Sequence, residues 1–116
     1  MEARFRLSND PHERAMLADW IVPEYVTYGD AERAADVLDR VEDIDDPEIA
    51  SRIAALRAEV QAMQGRDPES AIRCALSFID SVKPETDALL KHRIGLAYFF
   101  ARQPNAAEEY SLQALW

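Results

Sequence analysis

The stretch IGLAYFFARQPNAAEEYSLQAL, residues 94–115, decides the fold that we expect for this chain. Two helical patterns stand in it on either side of Pro104, which marks a break because proline has no backbone N–H to continue a helix. In the first pattern small residues stand among large ones, as two helices in close contact require; they are Gly95, Ala97 and Ala101 among Ile94, Tyr98 and Phe100. The second pattern repeats this with Ala107, Tyr110, Ala114 and Leu115. The stretch therefore predicts a helical hairpin.

The composition favours one helix-rich domain. Of the 116 residues, 48% are hydrophobic, 30% are charged and only three are glycine, which suits a helical chain better than a sheet protein. The formal net charge is −9, and a field of that sign repels phosphate backbones and anionic lipids. We therefore expect neither a nucleic-acid nor a membrane partner, and basic protein partners are favoured instead.

Cysteine usage and hydropathy suggest a cytoplasmic protein. Cys74 is the only cysteine in the sequence, so an intrachain disulfide and a cysteine-based zinc site are excluded, and a reducing compartment is the simpler assumption. The first residues have no apolar region like that of a secretory signal, and no apolar run approaches the roughly 18 residues of a membrane span.

Helix start signals recur along the chain at a fixed distance. The first helices of the pairs should begin at Pro11, Pro47 and Pro84, and the second helices at Asp30, Asp67 and Pro104. Asp can accept hydrogen bonds from the free N–H groups of a helix start, and Pro is pre-set for the first helical position. The first-helix starts lie 36 and 37 residues apart, and the second-helix starts 37 and 37. The chain should therefore contain three helical hairpins.

The same signals define the expected boundaries. We expect an N-terminal polar lead over residues 1–10 and a single domain over residues 11–116, with repeats at about 11–46, 47–83 and 84–116. Pro23 removes one internal hydrogen bond from the first helix and should kink it. Tyr98, Ile53 and Leu56 are expected in the core.

The hairpin resembles the tetratricopeptide (TPR) repeat, a helix-turn-helix unit with a defined pattern of large and small residues. The residues at matching spacings are Ile94, Gly95, Ala97, Tyr98, Ala107, Ala114 and Leu115. Two positions depart from the pattern, because Arg102 replaces the turn glycine and Tyr110 comes one place early. The resemblance covers about residues 11–116. It implies an all-α fold of three tandem antiparallel helical hairpins, stacked as a short right-handed TPR-like solenoid.

The resemblance also implies a binding face, since the first helix of each TPR repeat lines the concave side of the solenoid. The matching positions here are Asp19, Pro23 and Val26, then Arg52, Ala55, Glu59 and Met63, and finally Leu89, His92, Leu96 and Phe99. Such a groove implies a non-catalytic protein–protein interaction module, an adaptor or holding chaperone, that binds a peptide or helix segment with apolar anchors and basic residues. The Lys and Asn residues of a carboxylate clamp are missing from it. Trp20 matches a large buried position of the repeat.

Several of these positions have a second interpretation. Leu96 and Phe99 lie on a helix that is apolar nearly all round, so they belong either to the core or to a contact with a partner. Arg52 and Glu59 either contact a partner or form a solvated helix face.

The last helix leads to an alternative hypothesis. Solenoids normally need a polar terminal cap, whereas three apolar residues of this helix need a cover: Ala106, Tyr110 and Trp116. A partner, a second copy of the chain in a homodimer, or residues beyond this sequence could each supply it. The alternative function is a structural subunit that self-assembles through its apolar terminal helix.

No catalytic or cofactor motif stands in the sequence. A Gly-rich phosphate loop, a metal-ligand cluster and a nucleophile elbow are all missing. His12 and His92 are two repeats apart, and Cys74 lies between apolar positions, whereas a Cys-His enzyme needs the two groups together with a third that orients them. We expect no enzymatic activity, no cofactor and no metal.

Overall fold

The computed structural model describes residues 2–115, with the side chains of all but Glu2, Pro104 and Leu115. Within this range the chain is all-helical, which confirms the predicted class. The elements are α1 (Glu2–Leu7), α2 (Pro11–Thr27), α3 (Ala31–Asp39), α4 (Pro47–Met63), α5 (Glu69–Leu76), a 3₁₀ turn (Ile79–Ser81), α6 (Pro84–Phe100) and α7 (Pro104–Leu115). No helix among residues 2–115 is long and apolar enough to cross a membrane.

The three longest helices begin at the prolines that the sequence pattern indicates. α2, α4 and α6 each have 17 residues and a proline in the first turn. Asp10 caps α2 and Asp46 caps α4, each by accepting a hydrogen bond from a backbone N–H of the first turn. Lys83 precedes α6 and gives no side-chain cap. Instead Glu48 of α4 accepts a hydrogen bond from the backbone N–H of Lys83, so the start of α6 is tied to α4.

The same turn geometry follows α2, α4 and α6. Gly29, Gly65 and Arg102 have positive φ angles of 75°, 74° and 61°. In each turn this residue donates to the carbonyl three residues back, and the residue after it donates to the carbonyl five residues back, at 2.8 Å in all three cases. This is the hydrogen bonding of a Schellman-type helix end. The left-handed positions are 36 and 37 residues apart, so the repeat seen in the sequence recurs in the backbone.

α3 and α5 are short, with nine and eight residues. α3 ends at Asp39, where Arg57 of α4 donates to the carbonyls of Leu38 and Val41 and so satisfies groups that a longer helix would bond. α5 ends at Leu76. The Ser77 hydroxyl donates to the Cys74 carbonyl at 2.6 Å, a local hydrogen bond that competes with helix continuation.

α4 is the central helix and divides the core in two. It contacts α2 and α3 on one side and α5 and α6 on the other. Its large side chains belong to the first apolar cluster and its alanines to the second; they are Ile53, Leu56 and Val60 against Ala54, Ala55, Ala58 and Ala62. Small side chains let two helices approach closely, which explains the extensive α4–α6 contact. Ile53, Leu56 and Tyr98 are buried, which confirms their predicted place in the core.

Two parts of the first repeat differ from the expectation. Trp20 was expected at a buried position, but it is 70% exposed. The prediction was wrong because the core side of α2 is formed by other residues, namely Ala15, Leu17, Ala18, Ile21 and Val22.

The expected polar lead contains helix α1, whose Phe5 is buried in the first cluster under the guanidinium of Arg14, 4.7 Å from the ring centroid. α2 runs through Pro23 as one helix.

Candidate functional site

The candidate binding face lies on α2, α4 and α6, of which α4 contacts both others. The residues assigned to it from the sequence differ in how much surface they offer. His92 and Phe99 are exposed. Seven more are partly exposed: Asp19, Pro23, Val26, Arg52, Met63, Leu89 and Leu96. Ala55 and Glu59 are buried, so they have almost no surface to offer a partner and instead belong to the interior of the helix array.

A chain of polar contacts links the three helices near their N-terminal halves. Arg52 of α4 lies 3.4 Å from the carboxylate of Asp19 on α2 and donates to the Thr86 hydroxyl on α6 at 2.9 Å. Thr86 in turn donates to the carboxylate of Glu48. This bond and the one from the Lys83 N–H hold the pKa of Glu48 below its ordinary value. Arg52 therefore connects helices and does not form a purely solvated face.

A second charged contact joins α4 and α6 about two turns further along both helices. Arg93 of α6 donates to Glu59 of α4 at 3.4 Å. Burial raises the pKa of Glu59 to about 7, although the Arg93 guanidinium acts in the opposite direction. Sequence reasoning missed Arg93. The signal that could have found it is the spacing of 34 residues from Glu59, which equals the spacing from Arg52 to its hydrogen-bond partner Thr86.

His12, one of the two histidines, forms a hydrogen bond that links the start of α2 to the start of α4. Nε2 of His12 lies 3.2 Å from a carboxylate oxygen of Asp46, and this bond lowers the pKa of Asp46. Asp46 also caps α4. The pair therefore joins the N-termini of α2 and α4.

The apolar part of the face lies on α6. Phe99 is 66% exposed and touches Phe100 edge to face, with 5.9 Å between ring centroids. Leu89 and Leu96 are partly exposed on the same helix. Phe99 is therefore not a core residue, and Leu96 is only partly buried; contact of either residue with a partner stays a prediction.

Sequence reasoning did not assign the exposed apolar residues of α2 to a site. Met16 is 51% exposed and lies one helical turn before Trp20. Met16 and Trp20 thus add two large apolar side chains to the surface of the first repeat.

The residues considered for self-association lie on α7 or beyond it. Tyr110 stacks on Tyr98 of α6 with 5.6 Å between ring centroids, and Ala106 is partly buried against the second cluster. Burial raises the pKa of Tyr98 to about 12, with a further contribution from the Glu69 carboxylate. Trp116 lies outside the described residues. Leu112, which the sequence analysis did not select, is half exposed on α7.

Among residues 2–115, no group of three or more His, Cys, Asp and Glu side chains could hold a metal ion. Cys74 is a free, exposed thiol. Comparison of the chain with protein-family models, with the sequences of curated proteins and with solved structures found no match.

Proposed function

We propose that the chain is a non-catalytic protein–protein interaction module with three stacked TPR-like hairpins. The observation that carries the proposal is the recurrence of one turn at Gly29, Gly65 and Arg102. The 17-residue helices that precede these turns lie next to one another, with α4 between α2 and α6. Equivalent turns and adjacent first helices are what a stack of repeated hairpins requires.

A binding role agrees with the chemistry of the face. Its charged residues Arg52 and Glu59 are engaged with other helices, whereas its apolar residues Leu89, Leu96 and Phe99 have free surface. Their spacings of seven and three residues place them on one side of α6, and exposed apolar side chains grouped on a surface indicate an interaction site. The ligand would be a peptide or helix segment with apolar anchors, and the net charge of −9 favours basic residues in it. Such a module would act as an adaptor or a holding chaperone. The exposed thiol of Cys74 suits a reducing cytoplasm.

One observation favours the alternative function, a structural subunit that self-assembles through α7. Leu112 is half exposed on this helix, and Ala106 and Tyr110 are covered only in part. Under this alternative, Leu112→Glu would convert the assembly to monomers. Light scattering that shows a strict monomer of the wild-type chain at high concentration would remove the alternative.

Affinity capture with three baits tests the proposed function. The wild-type chain is compared with Phe99→Ala, which removes an exposed ring from the face, and with Tyr28→Ala, which removes an exposed ring beside the first turn. Circular dichroism confirms that all three fold. A partner kept by wild type and Tyr28→Ala but lost from Phe99→Ala supports the proposal. If every bait recovers only its own chain, the binding proposal fails and the assembly alternative replaces it.

A further inference from the structure

The outward side of α2 carries an apolar pair next to an acidic group. Met16 and Trp20 are one turn apart and more than half exposed, and Glu24 follows one turn later, also exposed. Residues four apart lie on the same side of a helix, so the three form a single row, here called the α2 stripe. Trp20 is 70% exposed and Met16 is 51% exposed, and large apolar side chains grouped on a surface indicate a contact outside the chain.

The charges around the α2 stripe are unequal at its two ends. Glu13 lies one turn before Met16. Its carboxylate is 3.6 Å from Arg4, and the positive charge of Arg4 partly neutralises the negative charge at this end. At the other end Glu24 is exposed near the C-terminus of α2, where the helix dipole adds partial negative charge. The only Arg or Lys of α2 is Arg14, and it lies over the Phe5 ring. The α2 stripe is therefore apolar in the middle and negative at the Glu24 end.

We propose that the α2 stripe docks an amphipathic helix of a partner protein. This helix presents two large apolar side chains one turn apart to Met16 and Trp20, and an Arg or Lys one turn further on to Glu24. Met16 to Glu24 spans about 12 Å along the axis at about 1.5 Å per residue, which is the rise of eight residues, or slightly more than two turns, of the partner helix.

Charge decides between a basic partner and a second copy of this chain. The chain carries a net charge of −9, so two copies repel each other, and a cationic helix is attracted. The proposal rests on the proposed function, because it specifies the partner class of a binding module. It differs in placing the anchor on α2, whereas Phe99 lies on α6.

Selection from a phage-displayed library of random 16-residue peptides against the intact chain tests the proposal. The chain carries Trp116→Phe, so Trp20 is its only tryptophan and its fluorescence reports each peptide's affinity. We expect recovered peptides to have two apolar residues four apart with Arg or Lys one turn beyond. Trp20→Ala should weaken their binding about tenfold or more, as for a central aromatic anchor.

Two acidic residues on the same side of α2 provide a matched pair of variants. Glu24→Gln should weaken binding about threefold to tenfold, and added salt should reduce the difference, because the contact is a rim charge. Glu13→Gln should change binding by less than about twofold, because Arg4 already faces this carboxylate. Equal effects of the two variants would overturn the assignment of the basic residue to the Glu24 end.

The outcomes separate this proposal from the proposed function. Peptides that bind Trp20→Ala normally but not Phe99→Ala would overturn docking on the α2 stripe and leave the binding module in place. Peptides without basic residues would overturn the charge argument. If no peptide is enriched above empty phage, both proposals fail. A dimer that sedimentation detects in wild type but not in Trp20→Ala would replace the partner helix with a second copy.

Discussion

Glu59 of α4 and Arg93 of α6 form an ion pair inside the interface between their helices, with 3.4 Å between Oε1 and Nη1. Only 1% of Glu59 is exposed. A buried pair contributes little net stability compared with apolar residues, but removing one partner typically costs about 3–5 kcal/mol, because the other charge stays buried and unpaired. The pair therefore favours one alignment of α4 against α6.

The stability of the chain should depend on the protonation of Glu59. Burial raises the pKa of Glu59 from 4.5 to about 7 in the folded state, so between these values the folded chain binds the proton more tightly than the unfolded chain. The contribution of Glu59 to stability is fully present below about pH 4.5 and is lost as pH rises through about 7. Relative to Glu59→Gln, the free energy of unfolding of wild type should fall by on the order of 3 kcal/mol across this window.

Urea unfolding of both proteins at several pH values measures this difference. Glu24→Gln serves as the control for the removal of an exposed carboxylate. If the Glu59→Gln curve is parallel to wild type between pH 4.5 and 8, the raised pKa is refuted.

Arg102 provides a second prediction, because it has the backbone conformation that glycine has in the other two turns. A left-handed residue other than glycine costs about 1–2 kcal/mol, while glycine makes the unfolded chain more flexible. Arg102→Gly should therefore raise the free energy of unfolding by roughly 0.5–1 kcal/mol, as measured in urea.

The reverse substitution at Gly65 is the matched control. An added Cβ at Gly65 meets nothing within 4 Å, so Gly65→Ala tests the backbone conformation alone and should lower the free energy of unfolding by about 1 kcal/mol. Stabilisation by Gly65→Ala, or destabilisation by Arg102→Gly, would contradict the shared turn geometry.

The sequence predicted those parts of the fold that depend on local chemistry. Proline at the first helical position predicts the starts of α2, α4 and α6. The outward position of Trp20 was not predicted, because α2 has apolar residues on several sides and periodicity alone does not indicate which of them face the core. The Glu59–Arg93 pair depends on how α4 lies against α6, which is a tertiary contact that no local pattern specifies.

Arg57 should stabilise the end of α3. It donates to the carbonyls of Val41, at 3.1 Å, and Leu38. Arg57→Ala would remove both hydrogen bonds, which Nη2 donates, and because the Arg57 side chain is partly exposed, water can replace them in part. We expect a loss of about 1 kcal/mol of stability. Amide hydrogen exchange should accelerate in α3 more than in α7, whereas uniform acceleration across the chain would argue against a local role.

Gly95 should limit how closely α6 and α7 pack. An added Cβ would lie 2.9 Å from Ser111 Oγ and 3.3 Å from both the Ala107 carbonyl oxygen and the Ser111 nitrogen. The two backbone atoms can yield only if α7 moves. Such overpacking costs about 1–3 kcal/mol, which exceeds the gain of about 1 kcal/mol in helix propensity. Gly95→Ala should therefore be less stable than wild type by roughly 1 kcal/mol in urea.

Ser111→Ala separates the two sources of this crowding. It removes the closest atom, so Gly95→Ala combined with Ser111→Ala should recover part of the lost stability while the two backbone contacts remain. Full recovery would mean that only the Ser111 hydroxyl obstructs the added methyl group. A Gly95→Ala protein more stable than wild type would mean that α7 moves away at little cost. In that case the close approach of α7 to Gly95 does not limit the packing of α6 against α7.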